Sequence, residues 1–69
     1  IQEEQDKFID HRFTKPMVRR ITKFTNEELD DFMKKYRPSL DFTRNSTDYE
    51  FAEYIKLAGQ EYEKRKRGF

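Results

Sequence analysis

Met17-Val18-Arg19-Arg20-Ile21-Thr22-Lys23-Phe24 is the stretch whose reading decides the fold. Pro16 precedes it and blocks continuation of a regular helix from upstream, and the stretch mixes β-branched, aromatic and basic residues in a way that suits an extended strand. Side chains alternate along a strand, so Arg19, Ile21 and Lys23 face one way and Val18, Arg20, Thr22 and Phe24 the other. Val18 and Phe24 suit a core, while Arg19 and Lys23 suit a polyanion. Arg20 on the inner face and Ile21 on the outer one break the alternation. A single strand has nothing to pair with inside this chain, and an unpaired edge is a liability. The strand reading therefore demands the same strand from a second subunit.

Downstream, two stretches carry helical periodicity. Leu29, Phe32, Met33 and Tyr36 fall at i, i+3, i+4 and i+7, with acids and lysines at the positions between. Thr25 and Glu28 stand at capping-box spacing, acids crowd the first turn, Lys34, Lys35 and Arg37 the last, and Pro38 marks the stop. The spacing predicts a helix over about 26 to 36. Phe51, Tyr54, Ile55, Ala58 and Tyr62 repeat the pattern, with Ser46 or Thr47 as cap and Glu50 at the box distance from Thr47. This predicts a longer helix over about 46 to 65, weakened by ~1 kcal/mol at Gly59. The connection 37–45 reads as a turn whose Leu40 and Phe42 tuck beneath the helices. Phe8 and Phe13 lie in a leading segment, 1–15, that suits a short amphipathic helix or a mobile terminal arm. Residues 16–63 are then the domain proper and 64–69 a basic tail.

Composition limits what such a chain does. Of 69 residues, 33% are hydrophobic and 42% charged, which promises a thin core. Small chains add disulfides, a metal or a second subunit. The absence of cysteine removes disulfides and thiolate metal sites, leaving oligomerisation as the staple. His11 is the lone histidine and reads as an ordinary surface residue, so neither a metal centre nor a catalytic apparatus is expected. Asp48, Glu50 and Glu53 are explained by helix start and surface roles. No cofactor or small-molecule substrate is implied. No apolar run approaches the ~18 to 20 residues of a membrane span, and residues 1–10 lack the flanks of a signal peptide. A cytoplasmic protein without membrane contact is the expectation.

The net charge of +1 hides a local asymmetry. Lys15, Arg19, Arg20 and Lys23 occur without an intervening acid, and Glu27, Glu28, Asp30 and Asp31 follow at once. A basic strand, a capped helix with an acidic start and a longer second helix resemble the ribbon-helix-helix family, the class of the Arc and MetJ repressors. The resemblance spans Met17 to Gly59 and rests on Lys23-Phe24-Thr25-Asn26-Glu27-Glu28-Leu29 and on Ala52-Glu53-Tyr54-Ile55-Lys56-Leu57-Ala58. It is nearest to members that accompany plasmid mobilisation relaxases. It implies a mainly α chain with one short strand and an obligate dimer joined by an intermolecular antiparallel β-ribbon, and it allows a dimer of dimers. It implies a repressor or relaxosome accessory factor associated with plasmid or nucleoid. Arg19, Ile21 and Lys23 would contact bases of double-stranded DNA, Arg20, Arg44, Ser46 and Thr47 phosphates, and Phe24, Leu29, Phe32, Ile55 and Ala58 would form the dimer core. Two departures stand out, the long connection 37–45 and the early start of the second helix.

Two other readings fit the same residues. One is a three-helix, homeodomain-like or helix-turn-helix DNA-binding module with a helical N-terminal segment and no strand. The other is a helical protein-interaction or antitoxin-like domain, which the near-neutral charge favours. Phe32, Tyr36, Phe51 and Tyr54 read as core in preference to a base-stacking platform. Lys64 to Arg67 reads first as a solvated helix end, with phosphate contact or a localisation signal as further readings.

Overall fold

Pro16 starts a helix instead of preventing one. In the computed structural model, which describes residues 2–66, five helices follow one another: α1 (Gln2–Arg12), α2 (Lys15–Thr22), α3 (Asn26–Lys35), α4 (Leu40–Asn45) and α5 (Asp48–Lys66). There is no strand among the described residues. Met17–Thr22 lies inside α2, with Pro16 in its first turn. There the missing N–H has no partner to lose and the fixed φ is already helical.

At helical spacing the conflict left by strand alternation disappears. Val18 is fully buried and Met17 and Ile21 pack beside it against the core, while Arg19 and Arg20 are exposed. β-propensity describes fit to a half-buried pleated surface, and the packing of α2 on α3 and α5 overrides it. The ribbon-helix-helix resemblance is thereby overturned. The short strand, the intermolecular β-ribbon and the plasmid-regulator role inferred from them fall with it. The five residues assigned to a dimer core, Phe24, Leu29, Phe32, Ile55 and Ala58, are buried within one chain.

The core is aromatic and draws on every part of the fold. Phe32 is fully buried, with ring centroids of Tyr36, Phe24, Tyr62 and Phe13 at 5.1, 5.5, 5.7 and 6.4 Å. Phe13, just beyond α1, also meets Phe51 of α5 edge-on at 6.3 Å. The leading segment is therefore helical and its end belongs to the core, Ile9 included. It is tied down by two arginines. Arg37 holds Asp10 at 2.7 Å and Asp6 at 3.7 Å. Arg12 donates to the backbone oxygens of Thr43 and Ser46, pairs with Asp48 at 3.2 Å, and lies 4.7 Å from the Phe51 ring centroid. Its charge thus meets the carbonyl end of α4, where a cation is favoured.

Both capping boxes form as the sequence indicates. Thr25 accepts from the Glu28 amide at 3.3 Å and its own N–H donates to Glu28 at 2.9 Å; Thr47 and Glu50 do the same at 3.1 and 2.8 Å. The connection between α3 and α5 contains α4, capped by the Ser39 hydroxyl, with Leu40 and Phe42 packed against the core. Six residues are too few to show a helical period.

α2 and α5 approach each other closely at Gly59. A Cβ there would lie 2.9 Å from Thr22 Cγ2, and the Thr22 hydroxyl is itself held by the Val18 carbonyl at 2.8 Å. Gly59→Ala is expected to lower the thermal midpoint by the equivalent of about 1 to 3 kcal/mol, because overpacking outweighs the gain in helix propensity. Adding Thr22→Ser, which removes the opposing methyl, should recover most of the loss in calorimetry. A single variant more stable than the wild type would contradict this packing.

Candidate binding groove

The exposed side of α2 carries Lys15, Arg19 and Arg20, and Lys23 follows at its end. Together with Pro16 they line a groove of about 730 Å³ that continues to Thr25 and Asn26 at the start of α3. Phe24 and Leu29, both buried, close its bottom. The eight residues of α2 span ~12 Å, so the cations form a short row. Lys15 is paired with Asp30 at 2.8 Å, whereas Arg19, Arg20 and Lys23 make no ion pair among the described residues.

The acids of α3 are divided between two sides. Glu27 is exposed and Asp30 sits at the groove edge on Lys15. Glu28 pairs with Lys66, and Asp31 accepts from the Tyr62 hydroxyl at 2.8 Å and pairs with Lys35 at 3.3 Å. The Glu28–Lys66 and Asp31–Tyr62 contacts fasten α3, the far wall of the groove, onto α5.

Of the residues singled out in the sequence, the structure brings Arg19, Arg20 and Lys23 together. Ile21 is half-buried against the core and does not line the groove. Arg44, Ser46 and Thr47 lie elsewhere, at the α4–α5 junction, where Thr47 is occupied in the α5 capping box and the Ser46 carbonyl accepts from Arg12 at 3.0 Å. Lys15, Pro16 and Asn26 also line the groove; the acid-free run from Lys15 to Lys23 included the lysine, whereas Pro16 stood in the sequence only as a helix block and nothing local marked Asn26. His11 lines a separate depression with Lys7, Asp10 and Thr14. No group of three or more metal-ligating side chains occurs among the described residues. Phe32 and Phe51 are buried and Tyr36 and Tyr54 pack on the core, Tyr54 donating to the Tyr36 carbonyl at 2.7 Å. In the basic tail, Arg65 pairs with Glu61 and Lys66 with Glu28, and Arg67 lies outside the described residues. No helix among the described residues is long and apolar enough to cross a membrane.

Comparison with protein-family models, with curated proteins and with solved structures finds no match for this chain.

The α3–α5 contacts make the far wall of the groove sensitive to acid. The hydrogen bond from Lys66, followed by that from the Thr25 amide, holds Glu28 well below its ordinary value, at about 2. The Tyr62 hydroxyl lowers Asp31, and desolvation followed by the hydrogen bond to Asp31 pushes Tyr62 up to about 12. A lowered carboxylate stabilises the fold above its unfolded-state value, and that contribution disappears as pH falls through the folded value. For Glu28 the window runs from 4.5 down to about 2. Tyr62 has the opposite sense: its contribution is complete below 10 and disappears as pH rises toward about 12. In carboxyl-detected NMR titration, Lys66→Met is expected to move Glu28 upward toward 4.5 and to flatten the acid limb of stability. An unmoved Glu28 would remove Lys66 from the account.

Proposed function

We propose that this chain is a helical protein-interaction module that binds an acidic segment of a partner protein in the α2 groove and performs no chemistry. The observation that carries the reading is the row of three exposed cations, Arg19, Arg20 and Lys23, with no ion pair among the described residues. A row of ~12 Å matches a few residues of peptide and little of a nucleic acid, and exposed cations of this kind raise association rates with acidic partners. A chain without cysteine suits a reducing cytoplasmic setting.

A second reading has its own support. α2, the three-residue turn Lys23-Phe24-Thr25 and α3 have the lengths of a DNA-binding helix-turn-helix. In such a module the start of the second helix enters the major groove. Here that would carry Glu27 and Asp30 toward a duplex with one negative charge per ~1.7 Å. The shape favours DNA, and the charge on α3 favours a protein partner.

Fluorescence polarisation against an array of labelled acidic peptides, with a labelled random-sequence duplex alongside, separates the two. Acidic peptides are expected to bind, to weaken with added salt, and to lose at least ~10-fold in affinity to the Arg19→Glu, Arg20→Glu double variant. Preferential binding of the duplex would favour the helix-turn-helix reading. Peptide binding indifferent to the charge reversal would exclude the groove.

A further inference from the structure

Lys23 is the described non-glycine residue with positive φ, at 63° with ψ 26°. The left-handed region crowds a Cβ against the backbone at a cost of roughly 1 kcal/mol, which is why glycine is the usual residue just past a helix end. The conformation itself has a structural purpose. The Lys23 N–H closes α2 on the Arg19 carbonyl at 2.7 Å, and the reversal lets Phe24 enter the core one residue before Thr25 caps α3. Nothing in that geometry calls for a lysine side chain. Lys23 is exposed and has no ion pair among the described residues; Glu28, which borders the same depression behind it, is taken by Lys66. The helix end favours a cation in general, which arginine or lysine anywhere in the last turn supplies; a residue that is unfavourable for the backbone and makes no ion pair among the described residues points to a use outside them.

We infer that Lys23 is a principal affinity determinant of the groove. Its occupant is an acidic peptide segment that also carries one apolar side chain. This rests on the groove being an interaction site. Carboxylates of the segment meet Arg19, Arg20 and Lys23, and the apolar side chain lies against the exposed Pro16 ring over the groove bottom that the buried Phe24 closes. Arginine and lysine stems add further apolar surface around that position. The complementarity is of two kinds at once, cations along the rim and carbon at the base, and so favours mixed acidic and apolar sequences over purely acidic ones.

The test takes the tightest peptide of the acidic array and measures affinity and thermal midpoint for Lys23→Gly, Lys23→Asn and Lys23→Arg. Lys23→Gly and Lys23→Asn are expected to raise the thermal midpoint by several degrees and to weaken binding at least ~5-fold, whereas Lys23→Arg should match the wild type in both. A structural role would move stability without moving affinity. Unchanged binding by Lys23→Gly, with binding still lost in the Arg19→Glu, Arg20→Glu variant, overturns the role of Lys23 and leaves the groove intact. Binding unchanged by every substitution overturns both. Replacing the peptide's apolar residue by serine should cost a further ~5-fold, and equal binding would reject the apolar half of the inference.

Discussion

Phe32 is the residue on which the rest of the structure depends. Four other aromatic rings close around it, one from the end of α1, one from the α2–α3 turn, one following α3 and one from α5. Each such side chain buries ~150 to 250 Å², so a chain with few apolar residues still encloses an interior when eleven of its positions are Phe or Tyr. Counting hydrophobic residues understates the core because it weighs Phe and Ala equally. Ten residues form the buried hydrophobic cluster, and six of them are aliphatic or aromatic side chains drawn from outside α5.

Two of the helices were legible because their signals are local and redundant. For α3 and α5, periodicity, capping boxes and charge at the ends all agree, and each box closes with the expected donors. α2 was misread because eight residues rich in Val, Ile and Thr carry a strand-like composition, and Pro16 looked like a barrier when it stands in the first turn. The decisive fact was tertiary: Val18 and Ile21 had α3 and α5 to pack on. The clue that alternation placed Arg20 inside and Ile21 outside was present in the sequence, and it argued for helical spacing. α1 was open in the sequence because Phe13, its main anchor, follows the helix and its contacts are more than a dozen residues away.

The groove was legible in part for a different reason. A run of bases without acids remains together whether it is strand or helix, so Arg19, Arg20 and Lys23 survived the change of fold, while Ile21 turned inward. What the sequence hid was the fate of the neighbouring acids. Only the packed structure shows that Glu28 and Asp31 turn toward α5 and that Asp30 takes Lys15. That division leaves positive charge on one side of the α2–α3 corner in a molecule whose net charge is close to neutral.

The position of Tyr62 has a consequence for how the chain emerges during synthesis. Its ring covers Phe32 and Phe24, yet it is among the last described residues to be made. Until α5 has left the ribosome, α1 through α4 hold an aromatic surface with one side open to water. Local helices form in about a microsecond or less, far faster than residues are added, so this half-covered state precedes the complete one for a sizeable part of each synthesis. The turn of α5 that carries Tyr62 thus governs when this interior first becomes dry.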